Sequence, residues 1–358
     1  MKRKLQYIDI YNFLKNKKIL VTGHTGFVGS WLCAALDYFG AEIIGFAWKE
    51  EKGALYDRIK NEVRLKNYYG DLRNKNEIRD CIEKNKPDII FHLAAYGFIH
   101  ECKSNPYTAF TSNVMGTVNL LEVIKDNPNI KVVIVASSDK VYRNNDAETQ
   151  LFKEEDALGG MDPYSCSKTC EDLIVQSYFD TYFKEQNRSV TILRPSNIIG
   201  GGDHNTTRLI PSIINSILEK KKIEIRNPDA VRPWQSILDA VDAYIVGAMK
   251  AWNTNSMQIY NVGPTQENIR SVGEIAEILT KATETKENIY LSERDSKTQL
   301  EKKYLGLAVE KIKQDIEWEP HKKLEETLCD TYNFYKEWDD KNSYELCQKY
   351  IGIYYGKA

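Results

Sequence analysis

Lys18-Ile-Leu-Val-Thr22 runs directly into Gly23-His-Thr-Gly26-Phe-Val-Gly29, and large residues at helical spacing (Trp31, Leu32, Ala35, Leu36) follow as far as Phe39. A buried strand, a GxxGxxG turn and a helix in immediate succession constrain the fold more than any other stretch. Glycines permit a tight turn and bring backbone N–H groups to the helix N-terminus, where a pyrophosphate binds. The expected cofactor contacts are therefore Gly23, His24, Thr25, Gly26, Phe27, Val28 and Gly29.

The pattern then repeats. Glu42–Ala47, a segment before Gly70, Asp88–Ala94, Lys131–Ala136 and Ser189–Arg194 read as further buried strands. Helical stretches near 74–85, 105–126 and after Tyr164 lie between them. Alternation of this kind predicts an α/β fold with a doubly wound, parallel Rossmann-type sheet. Residues 1–196 are the expected dinucleotide-binding domain, with part of 232–262 returning to it. Residues 197–358 are expected mainly to form a smaller mixed α/β substrate lobe over the carboxyl edge of the sheet. The Tyr-rich stretch from Asn342 suggests nothing specific.

The second strand ends in Ala47-Trp48-Lys49-Glu50, which leaves NAD and NADP undecided by the usual acidic or basic residue at that point. Asp71 in Gly70-Asp-Leu72 is either an adenine contact or a helix N-cap. His92 reads as a positioned strand-end residue rather than a base.

YxxxK occurs at Tyr11, Tyr56, Tyr164 and Tyr332. Only Tyr164 follows both a strand ending near Ser138 and a helix start at Asp162-Pro163. Tyr164 and Lys168 share a helix face, so both can reach one substrate. A free phenol has a pKa of ~10, and an adjacent ammonium favours the phenolate a base needs. Ser138 can hold the substrate hydroxyl. Asp139 adds an acid that simple dehydrogenation does not use, and Lys140 a second base if burial leaves it neutral part of the time. The competing reading makes Asp139 a turn cap and Lys140 a solvated charge.

A net charge of −2 argues against a nucleic-acid partner, and no stretch reaches the ~20 apolar residues of a membrane span. The basic N-terminus is broken by Gln6, Asp9 and Asn12, which speaks against a secretory signal. Seven scattered cysteines without a CxxC pair suggest reduced thiols in a cytoplasmic protein. Cys166 and Cys170 lack a His partner at zinc spacing, so no metal is expected.

The chain resembles the extended short-chain dehydrogenases/reductases that act on nucleotide sugars and, more narrowly, the CDP-glucose 4,6-dehydratases. The resemblance rests on Gly23–Leu32, Asn113-Val-Met-Gly-Thr117, Ser138-Asp-Lys140 and Leu158-Gly-Gly-Met-Asp-Pro-Tyr-Ser165. Asn197–Asp203, Arg208-Leu-Ile-Pro211 and Arg226–Gln235 extend it to about residue 250. Relatives that use dTDP-glucose carry Asp-Glu in place of Asp139-Lys140. The resemblance implies bound NAD, held also by Asp71, Leu72, Leu93, Ala94, Ala95, Asn113, Tyr164 and Lys168. It implies a nucleotide-sugar substrate held by Tyr96, Ser138, Asn197, Arg208, Arg226 and Arg232, with catalysis by Ser138, Asp139, Lys140, Tyr164 and Lys168. Val28, Tyr96-Gly97 and Ser236 depart from the family's usual Lys, Gln-Pro and His. A homodimer through helices near 105–126 and 163–186 is expected, using Tyr107, Phe110, Val114, Val118 and Leu121. A 4-epimerase on the same scaffold, or a binding protein that kept the fold, are the rival readings.

Overall fold

The computed structural model describes residues 2–145, 150–225, 227–284, 289–291 and 302–356. Its centre is a seven-stranded sheet in the order Met257–Val262, Ser189–Pro195, Val132–Ala136, Ile89–His92, Lys18–Thr22, Glu42–Ala47, Leu65–Tyr69. Every neighbouring pair is parallel. The strand order reverses between Lys18–Thr22 and Ile89–His92, which opens a crevice at their carboxyl ends.

Strand side chains alternate between two cores. Ile19, Val21, Phe91, Ile134 and Leu193 face the helices Phe27–Tyr38, Ile237–Ala251 and Ser343–Tyr354. Leu20, Ile44, Ile90, Val133 and Ile192 face Lys75–Asn85, Gly116–Lys125 and Pro163–Tyr178. Each such fully buried aliphatic side chain contributes ~1.5–3 kcal/mol relative to exposure, so covering both faces is what fixes the layers.

After Pro195 the chain leaves the sheet through Asn197–Ile199. That strand joins a three-stranded sheet in the order Ile269–Ser271, Val231–Ser236, Asn197–Ile199. A third core packs this sheet's Trp234 against the helices Leu209–Leu218, Val272–Ala282 and Leu324–Glu337. The chain then returns to the main sheet: Ile237–Ala251 covers one face and Met257–Val262 is the outermost strand.

The C-terminal stretch that had no assigned role in the sequence is the helix Ser343–Tyr354. It lies on Phe27–Tyr38, where Gln348 Nε2 donates to the Ala34 carbonyl at 3.0 Å and Tyr344 bonds Asp37. The Tyr354 and Tyr355 hydroxyls donate to the buried carboxylates of Asp239 and Asp242, which explains the density of tyrosines there. No helix of the described residues is long and apolar enough to cross a membrane.

The stretch 105–126 is interrupted. Pro106–Ala109 and Gly116–Lys125 are α-helical, but Phe110–Met115 forms a π-turn that carries the buried Asn113. Such one-turn widenings re-aim a side chain. Of the expected dimer residues, Leu121 is a correction: it is 1% exposed and belongs to the sheet core, whereas Tyr107 is 76% exposed.

Candidate active site

The three loop glycines have distinct reasons to be glycine. Gly23 has φ +74°, and a Cβ there would stand 2.7 Å from the Ala94 backbone. A Cβ on Gly29 would meet the Gly23 carbonyl at 2.2 Å, so the helix can lie on the loop only without it. Gly26 is exposed, and its Cβ would meet nothing closer than 3.4 Å. The open backbone therefore lies where the helix Phe27–Tyr38 begins without a side-chain cap, and its first N–H groups await an anion. These residues fit a dinucleotide.

His24 contributes through its backbone position only. Its ring is fully buried, bonds Asn67 Oδ1 through Nε2 at 2.8 Å and packs edge-on to Tyr56. Burial lowers its pKa to about 4, so it is neutral at pH 7. His92 is likewise neutral, lowered to about 3 by burial and by the Lys168 charge. Its ring links Thr22 Oγ1 at 2.8 Å and Thr117 Oγ1 at 2.9 Å. Since Thr117 donates to the Asn113 carbonyl, it accepts from His92 Nε2, and Thr22 donates to Nδ1. This chain of bonds holds the loop that follows: Leu93 N and Ala94 N both bond Thr22, and Tyr96 N bonds Asn113 Oδ1 at 2.7 Å.

At the end of the second strand, Thr25 Oγ1 donates to the Trp48 carbonyl at 3.0 Å, tying that segment to the glycine loop. The Tyr96 ring packs edge-on to Trp48 at 6.4 Å, which sets Tyr96 on the glycine-loop side of the mouth. Glu50 is occupied by Lys60 at 2.7 Å and the Tyr69 hydroxyl at 2.6 Å. Asp71 is not the helix cap: Asn74 caps Lys75–Asn85, and Asp71 holds Arg73 in a fork with contacts of 2.6 to 3.1 Å. The Leu72 side chain is buried in the sheet core, and its carbonyl accepts from Asn119.

The strand Val132–Ala136 delivers Ser138. The helix Pro163–Tyr178 starts as the sequence suggests, with Asp162 Oδ1 accepting from Ser165 N at 3.1 Å and Pro163 in the first turn. Such a cap is worth ~1 kcal/mol and orients Tyr164. Lys168 Nζ donates to the Ala136 carbonyl at 2.7 Å, two residues before Ser138, so helix and strand end meet at one point. Asn113 Nδ2 reaches Ser167 Oγ at 2.9 Å and locks the same helix to the π-turn.

Ser138, not Asp139, caps the short turn Asp139–Val141. The Asp139 side chain is 1% exposed. Its Oδ1 accepts from Ser138 Oγ at 3.2 Å and from Lys140 Nζ at 3.0 Å, while Oδ2 has no protein partner. Lys140 Nζ also reaches Asn197 Oδ1 at 3.4 Å, across to the first strand of the second lobe. Arg208 pairs with Asp203 at 2.9 Å and lies 4.9 Å over the Phe98 ring. Arg232 is buried, with Nη1 on the Val231 carbonyl at 2.8 Å. Arg226 lies outside the described residues.

Two groups escaped the sequence reading. Gln235 is buried on Val231–Ser236 with its Nε2 unpartnered. Glu171 sits one turn after Lys168 and bonds it at 2.5 Å inside the protein. The sequence signal for Glu171, an acid three residues after a helix lysine, is identical to that of a surface ion pair.

A glycine loop that fits a dinucleotide and a Ser138, Tyr164 and Lys168 set, on parallel strands of one sheet and the helix that follows, mark the short-chain dehydrogenase/reductase type. The pattern of the NAD dependent epimerase/dehydratase family matches residues 19–263, and the chain belongs to that family; its cofactor is NAD. The CDP-glucose 4,6-dehydratase of Salmonella typhimurium is 33% identical over 346 residues, covering 94% of this chain and 96% of that protein. The solved structure of dTDP-glucose 4,6-dehydratase from Bacillus anthracis with NAD superposes with a TM-score of 0.76. It is 28% identical and covers 90% of this chain and 97% of its own. The UDP-glucose 4-epimerase of Thermotoga maritima shares the fold at a TM-score of 0.79, with 20% identity and coverage of 89% and 99%.

Proposed function

We propose that the protein is a nucleotide-sugar 4,6-dehydratase that converts CDP-D-glucose to CDP-4-keto-6-deoxy-D-glucose. The observation that carries this reading is the pairing of the buried Asp139 carboxyl with the part-buried Lys140 beside Ser138, with Lys140 reaching Asn197. An epimerase oxidises C4 and reduces it again, and has no use for a second acid and base.

Tyr164 accepts the proton of the sugar 4-hydroxyl while Ser138 holds that hydroxyl and the Lys168 charge favours the phenolate. NAD⁺, when bound, supplies the acceptor for the C4 hydrogen and returns it to C6. The C4 ketone acidifies C5–H. Lys140 takes that proton, and Asp139 protonates the 6-hydroxyl, which leaves as water. Lys140 then gives its proton back to C5 as C6 is reduced. The balance is substrate to product plus one water; Tyr164 ends with one proton more and Asp139 with one fewer, and exchange with solvent after product release resets both. The ion pair is suited to this because it differs from acid plus free base by one proton moved along a 3.0 Å hydrogen bond. The unpartnered Asp139 Oδ2 supports the same assignment, since a buried carboxylate oxygen without a donor is costly unless it carries a proton or meets a substrate.

We assign Arg208 and Arg232 to the substrate diphosphate because arginine forks match phosphate oxygens, with Arg226 assigned by resemblance alone. Gln235 Nε2 offers a further donor. The Tyr107, Met115 and Leu173 side chains, 76%, 49% and 53% exposed on helices that pack side by side, are assigned to a homodimer interface.

The test is mass spectrometry of CDP-glucose incubated with the protein and NAD⁺, in parallel with the dTDP, UDP and GDP sugars. Loss of one water, with CDP-glucose favoured by kcat/KM, is the expected result. An isomer of unchanged mass would replace the dehydratase by a 4-epimerase. Better turnover of another nucleotide would reassign the base.

A further inference from the structure

The Tyr164–Lys168 motif asks for a charged lysine, yet the structure buries this one completely. Lys168 is 2% exposed, and Glu171 and Asp172 beside it are 1% and 0% exposed. Moving an ammonium from water into a protein interior costs several kcal/mol unless a counter-charge meets it. The Ala136 carbonyl at 2.7 Å is a dipole and not a counter-charge. Asp172 lies nearby, but its Oδ2 is committed to Arg194 Nε at 2.7 Å, and both are fully buried. His92, from the neighbouring strand, is neutral. Tyr164 is the group this lysine serves rather than a standing counter-ion, and burial pushes the phenol of Tyr244 beyond it far up. That leaves Glu171, whose Oε2 stands 2.5 Å from Lys168 Nζ and whose Oε1 has no partner.

We propose that Glu171 is a positioning residue for the reaction: it is the dedicated counter-ion that keeps Lys168 both charged and anchored behind Tyr164. The inference rests on the dehydratase reading for what Lys168 does, but not for its charge. Burial alone would lower Lys168; Glu171, by charge and by hydrogen bond, outweighs it together with smaller contributions from Tyr164 and Asp172 and holds the ammonium above its usual value. The cost falls on the partner, since burial pushes the Glu171 carboxyl up to about 7 against the pull of Lys168. An unpartnered carboxylate oxygen in the interior has no benefit for stability, because a well-packed apolar side chain would serve as well or better. Its presence is accounted for by a cation that the chemistry cannot surrender.

The experiment uses the full chain with lysine side chains carbon-13 labelled at Cε, and the Lys168 signal is assigned by its loss in Lys168→Arg. In the unsubstituted protein Lys168 should titrate above the ordinary lysine value. In Glu171→Gln, which keeps shape and removes charge, it should titrate at least ~2 pH units lower, and Glu171→Asp should restore most of the shift. In the same variants kcat for CDP-glucose at pH 8 should fall about tenfold or more in Glu171→Gln, with KM for the sugar within about threefold, and recover in Glu171→Asp. A merely structural carboxylate would change thermal stability and leave the Lys168 titration in place. An unchanged titration in folded Glu171→Gln overturns the proposal. If the enzyme turned over no nucleotide sugar, the dehydratase reading would fail while the titration still decided this one.

Discussion

Replacing Asp139 by Asn separates the two halves of the reaction. The side chain keeps its size, and its Oδ1 can still accept from Ser138 Oγ at 3.2 Å and from Lys140 Nζ at 3.0 Å. Only the ionic part of the Lys140 bond is lost. Because the Lys140 side chain is 27% exposed, water makes up part of it, and the expected loss of stability is ~1 kcal/mol. The new amide nitrogen occupies the place of Oδ2, which has no protein partner, so no existing bond is broken there. The catalytic cost is much larger. An amide cannot give a proton to the leaving hydroxyl, and a general acid is typically worth 10²–10⁴-fold, or ~3–5 kcal/mol of barrier. Water loss, followed by mass spectrometry, should fall at least ~10²-fold. The first half-reaction, followed in a single turnover by the absorbance of reduced nicotinamide, should persist, and reduced cofactor should accumulate. Dehydration at the normal rate would refute the assignment of Asp139. Equal loss of both half-reactions in a folded variant would show that the residue supports the whole site rather than the elimination.

Lys49→Asp should tighten NAD⁺ binding by about tenfold in titration calorimetry, since the carboxylates that follow the second strand are engaged elsewhere, Glu50 by Lys60 and Tyr69 and Glu51 by His204. Unchanged affinity would place the ribose elsewhere. Gly29→Ala must move the Gly23 carbonyl from 2.2 Å, so NAD⁺ binding should be lost or weakened by more than about tenfold, with a lowered melting temperature. Wild-type affinity in this variant would mean the loop is not the cradle. The wild-type chain should be a dimer by light scattering at micromolar concentration, and charges at Tyr107 and Leu173 together should produce a folded monomer. A monomeric wild type would end the interface assignment.

The features legible in the sequence are those with local causes. A strand, a GxxGxxG turn and a helix within Lys18–Tyr38 need only neighbouring residues to define them, because phosphate binding uses the backbone of one loop. Tyr164 and Lys168 share a face by helix geometry alone, and Asp162-Pro163 marks the helix start through its own cap. Asp71 shows the limit of that local reading: the cap considered for it went to Asn74, and its carboxylate holds Arg73.

Tertiary structure decided everything that depends on what surrounds a side chain. Three residues of spacing on a helix cannot distinguish a solvated Lys–Glu pair from one sealed under a strand end. The difference between Glu171 as ornament and Glu171 as counter-ion is therefore set by the packing of Val132–Ala136 and Ser189–Pro195 against Pro163–Tyr178. Likewise the tyrosines after Asn342 became intelligible only once the chain brought them back, more than a hundred residues on, to Asp239 and Asp242. Spacing along the chain specifies which atoms an element presents. Burial and charge pairing between distant elements specify which of those atoms water can still reach, and that is what sets their chemistry.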